Sequence, residues 1–305
     1  MLRLFKMRRR IILFLQQLFN GITIGSVYIL IALGLTMVYG ILELLHFAHG
    51  VVYMAGSFAA FVTITYLHGS FFVAVLVSMI FAGFVGWFIE IFAYKPVRNA
   101  NKITAVISGI GMAIVLENVS RIIFGSQTRA FPNVNMPAKE YKIGMNITIT
   151  NHQILIIVVA LILVIALQLF LKKTKSGLAM RATSMDFGAA GMMGINVNGI
   201  ISLTFVIGSA LAGIAGTLVG LYFNAVYPSM GSMPGMKAFA IVVLGGLGSI
   251  PGTIIGGLIL GIVESLADGY LGNFVVSKDA FAFIILIVVL LIKPSGLFGK
   301  RIEKV

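Results

Sequence analysis

The chain has 305 residues, 59% of them hydrophobic and only 10% charged, where a soluble domain carries roughly a quarter. Mean hydropathy is +1.07 and there is no cysteine, which excludes a disulfide framework and a thiolate metal site. The net charge of +13 is gathered in four clusters beside apolar spans, without the interleaved aromatics of a nucleic-acid surface, which leaves a polytopic membrane protein in a lipid bilayer with no nucleic-acid partner.

The bases cluster at Arg3–Arg10, Lys95–Lys102, Lys172–Arg181 and Lys293–Lys304. The positive-inside rule places all four in the cytoplasm, and with them the N- and C-termini. The basic start and the apolar run behind it are expected to form a first span and not a removable signal. Ile11–Leu42 carries no charge and exceeds the ~20 residues a helix needs to cross. Leu44–Tyr66 and Phe71–Tyr94 follow. With Arg10 and Lys95 both inside, an even number of crossings must separate them. Four fit, the second broken near Gly40, and so do two plus a re-entrant segment.

Ile103–Phe124 is expected to cross outward, and residues 125–151 to form the one long external loop, with a short strand or hairpin in Ile143–Thr150. His152–Leu171 returns. Residues 172–199 are then a polar cytoplasmic segment between two spans. Ser176 is placed to cap a short helix Gly177–Thr183, and Asp186 a second, Phe187–Met193, with Gly194 ending it in a left-handed turn. Two helices too small to bury a face of their own suit docking, while a merely basic loop is the plain alternative. Asn196 or Asn198 can cap the next span, Gly199–Phe223.

That span carries Gly208, Ala212, Gly216 and Gly220 at i+4 spacing, a face on which another helix can approach closely. Gly252, Gly256, Gly257 and Gly261 repeat the device. Lys237–Gly248 is too short to cross and ends in a turn, Gly245–Gly252, whose irregular backbone needs protein or a watery cavity around it. Phe274–Ile292 is the last span. The fold class is thus an all-α polytopic membrane protein, one transmembrane domain over 1–305, with eight to ten transmembrane helices (ten favoured), some broken or re-entrant, and a short cytoplasmic helix pair.

Glu43, His46 and His49 read either as a sparse metal cluster on one helical face or as a polar patch inside the bundle that marks a solute route. Glu117 and Arg121 are spaced to pair, as a packing contact or a gate. Glu264 and Asp268 fall near the outer end of their span, where solvation is expected. Glu90 and Lys237 are single charges expected to reach the interface. The 15 methionines and 23 phenylalanines are expected to face lipid or fill the bundle. There is no GxxxxGK[ST] phosphate loop and no G-x-S-x-G elbow, so the chain is not expected to be an enzyme, and any ATP hydrolysis belongs to another chain.

Gly34-Leu35-Thr36-Met37-Val38-Tyr39-Gly40 with Phe47-Ala48-His49-Gly50 and Met54-Ala55-Gly56 resembles the branched-chain amino acid permeases of bacterial ABC importers, the LivH-type subunit above all. Gly177-xxx-Arg181-Ala182, Ala189-Ala190 and Gly194-Ile195-Asn196 are similar to that family's coupling segment. Gly245-Gly246-Leu247-Gly248-Ser249-Ile250-Pro251-Gly252 and Lys293-Pro294-Ser295-Gly296-Leu297-Phe298-Gly299 resemble its late motifs. The resemblance implies a second, LivM-like permease, two cytoplasmic ATPases that hold the ATP and Mg, and an external solute-binding protein at a bacterial inner membrane. It makes Gly177, Arg181, Ala182, Asp186, Ala189, Ala190 and Gly194 the ATPase-coupling residues. Glu43, His46, His49, Gly245, Gly246 and Gly248 are expected to line or brace the pathway, with Tyr39, Phe47, Met54, Leu247 and Ile250 open to water. A urea or short-amide permease of the same family, or an ion-coupled transporter or channel using Glu43, His46 and His49, are the alternatives.

Overall fold

A computed structural model describes residues 2–98, 100–132, 139–143, 147–271 and 278–299. The first helix, α1 (Leu2–Leu42), is continuous through Gly40 and ends at Glu43, which sits in a left-handed conformation at φ 51°. After the link 43–48 come α2 (His49–Thr65) and α3 (Phe71–Ile89), the latter started by Ser70, whose hydroxyl accepts from the Val73 N–H. Helix α3 runs on through a π-helical turn, Glu90–Tyr94, and a tight turn at Lys95–Val97 that contains Pro96. Asn101 caps α4 (Lys102–Phe124). In the loop, β1 (Glu140–Ile143) and β2 (Ile147–Thr150) form an antiparallel hairpin. A capping box of Thr150 and Gln153 then starts α5 (Asn151–Lys173).

The polar segment holds α6 (Lys175–Met185) and α7 (Phe187–Met192). Thr174, and not Ser176, caps α6: its Oγ1 accepts from the Gly177 N–H at 3.0 Å, so the helix begins two residues earlier than expected. Asn196 starts α8 (Val197–Phe223), followed by α9 (Ser232–Gly245), α10 (Ile250–Leu271) and α11 (Lys278–Ile292). Six helices are long and apolar enough to cross a membrane (α1, α3 with its extension, α4, α5, α8 and α10), and α2, α9 and α11 are shorter apolar helices. That makes nine among the described residues, one fewer than the favoured ten.

Helices in an apolar solvent gain little by burying apolar surface against each other, so they pack where small residues let backbones meet. Helix α8 does this on several sides. A Cβ at Gly208 would collide with the backbone of Gly34 on α1, and one at Gly216 with the Tyr53 carbonyl on α2. Gly220 lies against Ser57 and Phe131, and Gly213 against Ala82 and Ser78 of α3. Helix α10 is divided the same way: Gly257 and Gly261 meet Ile29 and Gly25 of α1, whereas Gly252 and Gly256 meet Gly245 and Ile241 of α9. Helices α4 and α5 stand at the periphery, with few of their side chains buried.

The ends of the bundle sort the basic clusters. Gln16 donates to the Thr148 carbonyl at 2.9 Å and Tyr270 to the Arg10 carbonyl at 3.3 Å, so α1 starts at the end that carries the hairpin. At the other end Gly40 faces Gly248, Lys102 pairs with Glu43 at 3.0 Å, Arg98 donates to Asn198 at 2.6 Å, and the last turn of α1 borders α6. The Leu297 N–H, donating to the Leu244 carbonyl at 2.8 Å, puts the C-terminal motif there too. Three passes, not four, separate Arg10 from Lys95, because the chain turns once at 43–48 and does not break near Gly40. The placement of all the basic clusters on one side is therefore not met among the described residues: Arg10 lies opposite Lys102, Arg181 and Lys293.

Gly216→Leu forces a side chain into the Tyr53 carbonyl and should abolish folded yield in detergent. Even Gly216→Ala should lower thermal stability, since overpacking costs typically ~1–3 kcal/mol. Gly111→Ala on α4 has open space around the new methyl and should melt like the parent, as thermal unfolding of the three purified variants would show.

Candidate functional site

Glu43, His46 and His49 do not share a helical face. Glu43 is exposed at the end of the bundle with Lys102, and the two histidines are buried apart from it, because the link 43–48 is not helical. His49 is the first residue of α2, and one of its ring nitrogens, Nε2, bonds the Ile31 carbonyl of α1 at 2.9 Å. His46 Nδ1 lies 3.2 Å from the Tyr94 hydroxyl, which itself reaches the Leu45 carbonyl at 3.3 Å. The polar chain thus runs from the link to the π-helical turn that follows α3. Of the positions expected to be open to water, Phe47 and Leu247 are exposed, whereas Met54 is buried at 2% because α2 turns it into the core.

Helices α2 and α9 both begin inside the bundle. Their first turns touch backbone to backbone, Gly50 against Gly231 and Gly235, where a methyl on either chain would collide. A cavity of about 490 Å³ opens beside this junction, walled by His46, Phe47, Met236 and Phe239 and, from α4, by Ile114 and Glu117. Glu117 pairs with Arg121 at 2.5 Å.

The other polar centre went unrecognised in the sequence. Lys237, expected at the interface, is 4% exposed on α9 and donates to Glu264 of α10 at 2.7 Å and to Tyr28 of α1 at 2.9 Å. It also pairs with Asp279 of α11 at 2.6 Å. Glu264, expected to be solvated, is 3% exposed, while Asp268 one turn on is exposed. A second cavity, about 260 Å³, adjoins these charges and is rimmed by Tyr53, Tyr222 and Tyr227. Glu90 likewise is buried and accepts from Ser202 at 2.8 Å, not at the interface as expected, since the π-helical turn points it at α8. A lysine midway along a short apolar helix and a carboxylate within a long one were the available signals. Neither names its partner, which comes from another helix.

The glycine turn lies at the end of the bundle and is braced by protein. Gly246 and Gly248 take φ values of 103° and 79°, and the Phe298 N–H donates to the Gly245 carbonyl at 3.0 Å. Gly248 also borders a cavity of about 310 Å³ shared with Gly40, Met180 and Arg181. In the polar segment 172–199 Asp186 caps α7 through the Ala189 N–H at 2.8 Å, and Gly194 follows at φ 81°. Arg181, Asp186, Ala189 and Gly194 are exposed and Ala182 half-buried, whereas Gly177 and Ala190 are buried and hold the segment's own shape. The same surface shows Met185, Met192 and Met193, each more than 80% exposed (87%, 86% and 83%), at the polar end and not toward lipid.

Lys237→Met leaves Glu264 buried, and Asp279 half-buried, without their cation, which costs ~3–5 kcal/mol when one partner of a buried pair is removed. The variant should lose yield and thermal stability. Adding Glu264→Gln should recover part of the loss, which a double-mutant cycle on melting temperatures would measure.

Over residues 17–290 the chain matches the family model described as branched-chain amino acid transport system / permease component. It is 43% identical over 310 residues to the high-affinity branched-chain amino acid transport system permease protein LivH of Escherichia coli (strain K12), covering 98% of this chain and 100% of that one. Identity to the high-affinity permease protein BraD of Pseudomonas aeruginosa is 42%, over 96% of this chain and 98% of the relative. A probable branched-chain amino acid transport permease protein LivH of Methanocaldococcus jannaschii is 31% identical over 92% and 91%. With the match running from within α1 to within α11, the chain belongs to the branched-chain amino acid transport system permease family.

Proposed function

We propose that the chain is a membrane-spanning subunit of an ATP-driven importer that carries leucine, isoleucine and valine across a bacterial inner membrane. The near-full-length similarity to the LivH and BraD permeases carries this reading. ATP hydrolysis and its Mg²⁺ belong to two separate ATPase chains, since this sequence has no phosphate loop. A second, LivM-like permease completes the pathway and an external binding protein delivers the solute. The chain's own work is translocation.

In this reading the end bearing α6 and α7 is cytoplasmic, which keeps three of the four basic clusters on the side the positive-inside rule favours. Arg10 and the hairpin are then external. The ATPase meets Arg181 and the methionine surface, whose flexible, polarisable side chains suit an interface that must re-form in each cycle. Movement there reaches the pathway through packing: α6 rests on the end of α5 at Gly177 and on the last turns of α1 at Met180.

Arg181→Ala removes a charged interface contact of ~2–5 kcal/mol and should reduce ATPase co-purification and leucine uptake together. Wild-type levels of both would remove Arg181 from the interface. The orientation is read by single cysteines in this cysteine-free chain. In intact cells a membrane-impermeant maleimide should label Arg10→Cys, and Ser184→Cys only after lysis; the reverse pattern would turn the molecule over.

A further inference from the structure

We propose that the cavity beside Lys237, which opens toward the hairpin end of the bundle, receives the transported amino acid, with its carboxylate on the Tyr53 hydroxyl and its ammonium beside Asp279. This rests on the importer reading above and adds the place and chemistry of solute contact.

The cavity, of about 260 Å³, lies just below the roughly 300–1,000 Å³ of pockets for larger ligands and suits a small solute. One side of its lining is exposed, at Phe223 in the last turn of α8 and at Tyr227 beyond it. Tyr222, in the same turn, takes a hydrogen bond at 3.5 Å from Gln153, at the start of α5 beside the hairpin. The opening therefore faces the end at which, in the orientation above, a binding protein delivers the solute. The other side reaches Lys237 and Glu264, both buried within their helices. Ionisable groups at such a position mark solute routes through a bundle.

Tyr53 of α2 supplies the observation that points to a ligand. It lines the cavity and is 1% exposed, yet its hydroxyl has no hydrogen-bond partner among the described residues. One turn along α2 the Ser57 hydroxyl is also without a partner, but it is sealed in packing, and that of Tyr53 is not. A buried donor left unsatisfied is costly, so the occupant of the cavity has to bond it, and a carboxylate is a stronger acceptor than water.

The opposite charge has its own place. Glu264 engages one oxygen with Lys237 and the other with Tyr28. Asp279 also pairs with Lys237 but keeps 25% of its side chain exposed, so two carboxylates share one lysine on this wall. Tyrosine rings, which attract cations, surround the same space, and Lys237 Nζ already stands 5.2 Å from the centre of the Tyr28 ring. An ammonium is favoured there. Ile24, Val27, Ile156 and Val219 complete the walls and suit a branched aliphatic side chain. Donor, carboxylate and apolar wall thus match the three parts of an aliphatic amino acid.

The test uses Met233→Cys, a 48% exposed position on the cavity, in the importer assembled in membrane vesicles with its ATPases and second permease but without the binding protein. L-leucine should slow alkylation of this cysteine in at least one nucleotide state. Leucinol, which lacks the carboxylate, and 4-methylpentanoate, which lacks the ammonium, should not. Tyr53→Phe removes only the hydroxyl. It should raise the leucine concentration needed for protection about tenfold or more, the usual worth of a hydrogen bond to a charged group, and should melt like the parent. Ser57→Ala, which removes the sealed hydroxyl, should keep full protection. If leucine leaves labelling unchanged in every nucleotide state of a complex that imports leucine, the site is misplaced while the importer reading stands. Equal protection by leucinol or 4-methylpentanoate overturns the assignment as well, and so does a Tyr53→Phe variant that protects like the parent or loses protection only together with thermal stability. A complex that imports no branched-chain amino acid overturns the functional reading, and this one with it.

Discussion

The structure depends on backbone-to-backbone contact between helices. In a bilayer the hydrophobic effect does not drive one helix onto another, so packing rests on close approach and dispersion. Glycines of α8 supply that approach toward α1, α2 and α3, and those of α10 toward α1 and α9. Gly34 on Gly208 and Gly252 on Gly245 are met from both sides, so neither helix can move without repacking its neighbour. The peripheral helices α4 and α5 lack such contacts along most of their length and remain largely exposed.

Within that frame the two short helices create the chemistry. Helices α2 and α9 begin inside the bundle, where backbone is tolerated only against protein or a cavity. Their N-termini abut, and a cavity lies beside them. The far face of α9 is held by Lys237, bound to carboxylates on α10 and α11. A charge of this kind is costly to bury and costlier to leave unpaired, so it fixes the register of α9 against three neighbours. Helix α9 is therefore tied to the rest of the bundle by charge on one side and glycine contact on the other.

The same helix ends at the glycine turn, which carries the C-terminal motif on its carbonyls through the Leu297 and Phe298 N–H groups. That turn and α6 border one cavity with the end of α1. A push on the exposed surface of α6 thus meets, within one layer of packing, the end of α1 and the glycine turn that follows α9.

The sequence by itself determined the class, the helical content and the boundaries of the long spans, because these follow from local composition. It also located α7 and its Asp186 cap, which is a contact between near neighbours. Only the tertiary structure decided which end of α1 faces which cluster, since charge bias is a statistical preference and one turn at 43–48 reverses every later inference of parity. It decided that Glu43 leaves His46 and His49, that Glu90 and Lys237 are buried, and that Met185, Met192 and Met193 stand exposed on the surface of α6 and α7 and the turn after them. The partners of Lys237 lie on helices 27 and more residues away. Hydrophobic periodicity records which face of a helix turns inward, but not which charge on another helix waits there.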